Sequence, residues 1–395
     1  MTHFRDIFSA ALCRSRYWDK SGSALHLCMY LPDWGTTTMC AVRLPLLRLM
    51  FAVVTTLVTG AAWSQAPAAP AQTLRIVGGL GAMHQYTRNE EPFWTKDLLR
   101  LSAGKYAAEI VPFDRAGVPG AEILRLMQYG VVPFGTALLS NIAAQNPEFA
   151  APDLAGLNPD LPALRKSLAA FRPYMEKKLR EAHGVELLAV YTYPAQVVFC
   201  KNPLKTLNDL AGRKVRVSSA TQSDLVAGLG GTPVLLGMAQ IVSSVSSGQV
   251  ECAITGSMSG NIIGLAEQTK YIHTLPITWG LAIFAANQSA WSALPGDLRA
   301  LLSREIPKLE TAIWQESERE TADGFACNRG LATCQSGNKF AMTEVATTTQ
   351  DEARRKELFL NTVLPRWLQR CGGRCNTLWN QTVGASTGIQ VAPGP

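Results

Sequence analysis

The sequence predicts an α/β fold of two lobes, with one long helix running along both. Strand and helix signals alternate from residue 74 onward, a second strand series follows residue 184, and a long apolar helical stripe begins at Asp297. Alternation of this kind argues for substantially parallel sheets covered by helices. At 395 residues the chain has room for two ordinary domains or one large one.

Taken in order, Leu74–Val77 reads as a strand and is followed by Gly78, Gly79 and Gly81. Phe93, Trp94, Leu98 and Leu101 recur at helical spacing over Glu91–Leu101, which stops at Ser102-Ala-Gly104. Glu109–Phe113 and Val131–Ala137 read as strands on either side of a helix, Ala121–Tyr129, that ends at Gly130. A long amphipathic segment, Leu161–Ala182, is stopped by Gly184. The second series comprises Val185–Tyr191, Gln196–Lys201, Lys214–Ser218, Gln249–Thr255 and Tyr271–Leu275, with helical candidates at Ser223–Gly228 and Ala239–Ser247. Gly280–Asn287 is again apolar and strand-like, which suits a return to the first sheet. Two such crossovers are what a two-lobed clamshell needs. Asp297–Phe325 places Leu298, Leu301, Leu302, Ile306, Leu309 and Ile313 on one face, and Pro307 within it implies a kink. Its length of about 40 Å reaches along both lobes.

The N-terminus carries an export pattern. Arg43 and Arg48 precede an apolar stretch from Leu49 to Gly60, and the small residues Ala61, Ala62 and Ser64 follow. This is the layout of a secretory signal peptide over 39–64, cleaved near Ser64/Gln65. About a dozen apolar residues fall short of the roughly 20 that a spanning helix needs. A signal peptide belongs at the start of a chain, so residues 1–38 read as a mis-annotated extension with the true start at Met39.

Residues 1–64 hold 6 of the 37 Lys/Arg and 3 of the 30 Asp/Glu, leaving 31 against 27 and a net charge of +4 in the exported part. That charge is too modest and too scattered for a nucleic-acid surface. Three of the nine cysteines fall in the same segment, which leaves Cys200, Cys252, Cys327, Cys334, Cys371 and Cys375. An even number in an oxidising compartment predicts disulfides. Cys327/Cys334 and Cys371/Cys375 each close a short Gly-containing loop and are the natural pairs. A four-cysteine metal site lacks a usual zinc-ligand spacing. Cys200 and Cys252 lie in apolar strand-like runs, either paired or separately buried.

Catalytic templates are missing. The exported part has three histidines, His84, His183 and His273, with no HExxH pair, no G-x-S-x-G elbow and no Gly-rich loop ending in Gly-Lys-Ser/Thr. The sequence therefore predicts no enzyme, no metal and no organic cofactor. The informative segment is Thr206–Thr255. Asp209 and Gly212 mark a turn, and the strand after it puts Arg213, Val215 and Val217 on one face and Lys214 and Arg216 on the other. Arg216, at the C-terminal end of that strand, stands where ligands bind in open α/β sheets. A guanidinium there grips a carboxylate through two parallel charge-assisted hydrogen bonds. From spacing alone, a solvated strand residue is the competing reading.

Several segments in order carry a resemblance: Ser102-Ala-Gly104-Lys105, Gly117–Gly120, Asp209-Leu-Ala-Gly-Arg-Lys-Val-Arg-Val, Gly231-Thr-Pro233, Met238 through Gly248-Gln-Val-Glu251, Lys270-Tyr271, Phe284-Ala-Ala-Asn287 and Leu294-Pro-Gly-Asp-Leu298. From about Leu74 to Leu368 the chain resembles the solute receptors of tripartite ATP-independent periplasmic (TRAP) transporters, of the dicarboxylate-receptor type. The resemblance implies a periplasmic-binding-protein clamshell over 65–395. Lobe 1 would cover about 73–190 plus returning C-terminal segments, and lobe 2 about 191–280. Arg216 corresponds to the arginine that holds the substrate carboxylate. Met238, Thr255, Trp279, Tyr86 and Thr136 fall near other pocket positions, although Met238 and Trp279 also read as packing residues. The implied ligand is a small organic acid anion, passed transiently to the TRAP membrane subunits by a periplasmic monomer or weak dimer. A ligand sensor, a receptor of another transporter class and a periplasmic enzyme are the rivals.

This chain departs from the family pattern at named places. Gln196 stands where many relatives have an arginine, and Val250-Glu251-Cys252 and Ile254-Thr255 replace the usual Val-Asp-Gly and Glu-Asn. The helix between is rich in serine, and the Cys327–Cys334 loop has no counterpart. One cation fewer favours a monocarboxylate or a less charged ligand.

Overall fold

The computed structural model describes residues 72–393; the expected extension and signal peptide lie outside them. Eleven strands form two sheets among the described residues. The first sheet orders its strands β2-β1-β3-β10-β4, built from β1 (Gln72–Gly78), β2 (Tyr106–Pro112), β3 (Phe134–Leu138), β4 (Val185–Thr192) and β10 (Leu281–Asn287). β1 runs parallel to β2 and β3, while β10 lies antiparallel between β3 and β4, with Phe284 opposite Thr136 and Ala189. The apolar run at 281–287 thus returns the chain to the first sheet. Burial on both sides explains why β10 reads as a continuous apolar segment rather than an alternating one.

The second sheet orders its strands β11-β9-β5-β8-β6-β7, from β5 (Gln196–Cys200), β6 (Lys214–Val217), β7 (Thr232–Leu235), β8 (Cys252–Gly256), β9 (Tyr271–His273) and β11 (Thr343–Val345). β6 pairs in parallel with β7 and β8, and β5 pairs antiparallel with β8. Sequence reading did not find β7 or β11. β7 carries Pro233, which a strand tolerates at a sheet edge, and it is an edge strand. β11 has three residues and takes its place after the long helix, well beyond residue 280.

Helices cover both sheets. The helix Leu161–His183 starts at the Asp160 cap, whose carboxylate accepts the Ala163 N–H at 2.8 Å, and stops at Gly184 in the left-handed region. The long helix spans Gly296–Asn328. Its Trp314 Nε1–H donates to Val190 O and its Ser317 hydroxyl to Thr192 O, so it lies along β4. Thr321 Oγ1 then accepts the Ala195 N–H, and further along Asn328 Nδ2–H donates to Ser257 O beyond β8. One helix therefore braces both sheets. No helix among the described residues is long and apolar enough to cross a membrane.

All six cysteines described are paired: Cys327 with Cys334, Cys371 with Cys375, and Cys200 with Cys252. The last pair joins directly opposed residues of β5 and β8. Sequence reading left it open because strand register decides it.

Candidate ligand-binding site

The chain passes between the sheets three times, between β4 and β5, between β9 and β10, and from β10 through the long helix to β11. Arg216 lies on β6, beside the C-terminal end of that strand, as its sequence position predicts. It is not solvated. Only 3% of Arg216 is exposed, its Nε–H donates to Leu236 O at 2.9 Å, and Nη1–H donates to Ile254 O at 2.6 Å. No carboxylate among the described residues forms an ion pair with it. Burial holds its pKa down to about 10, which still leaves it charged at neutral pH.

Two other expected site residues stand close by. Thr255 is buried on β8, next to the carbonyl that Arg216 binds and opposite Val197 of β5. Gln196 opens β5 opposite Gly256, and its backbone exchanges hydrogen bonds with the second crossover: Gln196 N–H donates to Thr278 O and Ile277 N–H to Gln196 O. Met238 is half-buried at the start of the turn before the helix Ile241–Ser246.

The remaining three make other contacts. Trp279 is packed in the second crossover, with its indole N–H donating to Asn158 O at 3.2 Å. Tyr86 packs its ring against Gly78, where a Cβ would come within 2.6 Å of it, and its hydroxyl donates to Ile110 O. Thr136 is fully buried in β3 and donates to Glu90 Oε2 at 3.0 Å.

Sequence reading missed two carboxyls, the buried Glu90 and the half-buried Asp153. Glu90 also accepts the Gly79 N–H at 3.0 Å and the Gln85 amide at 2.8 Å, and burial pushes its pKa up to about 7. Asp153 accepts the Trp279 and Gly280 N–H groups, the latter at 2.8 Å, and burial raises it to about 7 as well. No local signal marks either residue, because their donors come from distant segments.

Two groups with metal-ligand side chains converge among the described residues. In Asp323/Cys327/Cys334 the sulfurs are joined to each other. In His84/Glu316/Glu320, His84 meets Glu320, and Glu316 is paired with Arg88 and Arg319.

Two α/β lobes, three crossovers, a bracing helix and a buried guanidinium with no acid partner define a clamshell binding protein. The chain belongs to the bacterial extracellular solute-binding proteins, family 7, whose model matches residues 84–328. Members of this family are extracytoplasmic receptors that bind solutes. The fold is similar to that of DctP6 from Bordetella pertussis, an extracytoplasmic solute receptor binding pyroglutamic acid, at 22% identity and a TM-score of 0.70 over 81% of this chain and 100% of that one. It is similar to DctP7 of the same organism, also binding pyroglutamic acid, at 21% identity and 0.68 over 79% and 99%. A TRAP periplasmic solute-binding protein from Desulfovibrio salexigens with bound orotic acid matches at 16% identity and 0.70 over 81% and 99%.

Proposed function

We propose that this protein captures a small organic acid anion through Arg216 and delivers it to the membrane subunits of a TRAP transporter. The observation that carries this reading is the buried, unpaired guanidinium of Arg216. Burying a cation without a counter-charge is costly, and arginine cannot escape the cost by losing its proton at neutral pH. A ligand carboxylate supplies the missing charge. Gln196 and Thr255 flank the anchor, and neither adds a second cation, which favours a monocarboxylate. Pyroglutamic and orotic acids, held by the similar receptors, each carry one carboxyl group.

Lobe 1 comprises the first sheet with its helices, and lobe 2 the second. Closure over the ligand is a population shift driven by tighter binding to the closed form. The export pattern over 39–64 supports release into the periplasm, where the receptor works as a monomer or weak dimer.

A thermal-shift screen over organic acids tests the reading directly. Saturating ligand at 100-fold over its Kd adds about 2.7 kcal/mol to stability. Stabilisation by monocarboxylates that disappears in Arg216→Ala is the expected result. No hit among carboxylates, or unchanged affinity in the variant, overturns it.

A further inference from the structure

The Gln196 carboxamide has a fixed direction, and the group that fixes it is a backbone amide. The Ser218 N–H, which can only donate, meets the Gln222 side chain at 2.8 Å, so the oxygen of Gln222 must face it. The Gln222 nitrogen then points the other way, donating to Gln196 Oε1 at 2.7 Å and Thr278 Oγ1 at 2.8 Å. Gln196 must in turn present its oxygen, which the Ser218 hydroxyl also approaches at 3.3 Å. Gln222 is 1% exposed and Thr278 is buried, so the relay is held from within.

The Gln196 nitrogen is thereby turned outward. It lies over Gly280, where a Cβ would stand 2.3 Å from it, and it makes no hydrogen bond with another described residue. Gly280 has φ +79°, so glycine is required there on conformational grounds as well. Ser218 is the second residue after Arg216, just past the end of β6 at Val217.

We infer that Gln222 is a positioning residue that makes Gln196 a donor-only contact, so that the ligand is a carboxylate carrying an uncharged oxygen acceptor, a carbonyl or a hydroxyl. This deepens the proposed function and rests on Arg216 as the carboxylate anchor. Gln196 offers two N–H donors of known direction. A carbonyl oxygen accepts from them; a methylene group leaves them unpaired, at a cost in affinity.

The test uses matched four- to six-carbon acids, each as the oxo, hydroxy and unsubstituted form, with the oxygen at the second, third or fourth carbon. Binding to the whole exported chain is measured by calorimetry at pH 8.5. The wild type is expected to hold an oxo and a hydroxy acid about tenfold more tightly than the unsubstituted one. In Gln222→Glu the carboxylate still accepts the Ser218 N–H but offers Gln196 only oxygen, so the Gln196 amide reverses. The oxo acid then loses its tenfold advantage, while the hydroxy acid, which can also donate, keeps it. If this variant does not fold, Gln222→Leu frees the amide to turn and narrows the gap between oxo and unsubstituted acids. A wild type indifferent to the oxygen overturns the inference and leaves the carboxylate reading standing. Equal weakening of all three acids in the variant does the same. A wild type that binds none of the acids overturns both.

Discussion

The groups that each lobe buries without an ion-pair partner are opposite in sign. Lobe 2 buries a cation, Arg216, with two carbonyl acceptors and no acid. Lobe 1 holds two carboxyls, Glu90 buried and Asp153 half-buried, with N–H and O–H donors and no cation. The difference lies in what each group can do about its cost. A carboxyl whose pKa is near 7 sheds its charge by taking a proton, and its donors satisfy it locally. Arginine keeps its charge, so an unpaired one needs a partner from outside. The carboxyls are satisfied by donors of the protein itself, and the guanidinium is the group the proposed ligand would neutralise.

The largest expected effect falls on Arg216. Arg216→Ala should weaken binding of any carboxylate ligand by about 3–5 kcal/mol, while far-UV circular dichroism of the ligand-free protein stays unchanged. Full-strength binding would place the anion elsewhere and dissolve the contrast between the lobes. Next comes the covalent asymmetry: no strand of the first sheet contains cysteine, whereas Cys200–Cys252 staples the second. Closing a 52-residue separation is worth about 4 kcal/mol, against about 2 for the 4- and 7-residue loops. The double variant Cys200→Ala/Cys252→Ala should therefore lower the denaturation midpoint most, and hydrogen exchange should show lobe 2 opening first.

The carboxyls give a pH signature. Both titrate higher in the folded chain, at about 7, than their ordinary values of 4.5 and 3.8. Between those limits the folded state holds more protons than the unfolded one, so stability falls as pH rises from about 4 to about 7 and levels off above. Each group contributes on the order of 3–4 kcal/mol to that fall. Melts of Glu90→Gln and Asp153→Asn across this range should show a flatter slope; slopes matching the wild type would mean that neither carboxyl is raised in the folded chain. The smallest effect is at Gly280→Ala, where the positive φ costs about 1–2 kcal/mol. The new methyl also displaces the Gln196 amide, so ligand affinity should fall along with the melting temperature.

Much of this was legible from the chain. The alternation of signals located most strands within a few residues, the apolar run at 281–287 announced its return to the first sheet, and Arg216 stood out by position. What stayed hidden depends on contacts far apart in sequence. Glu90 becomes a buried acid only because Gly79 and Thr136 bring donors to it, and Gln222 gains its role from Ser218, Gln196 and Thr278. A polar residue in a short helix carries no mark of such a partnership. The reverse holds for Trp279, where an aromatic residue near an expected pocket position proves to be tied to Asn158.

The placement of β10 sets the timing of assembly. It lies between β3 and β4, so the first sheet stays split until residue 287 has been made, after most of the second lobe has been synthesised. β11 delays the second sheet further, to residue 345. Neither lobe can finish before the other is largely present, and a nascent chain of this design stays open, and threadable, until it is nearly complete.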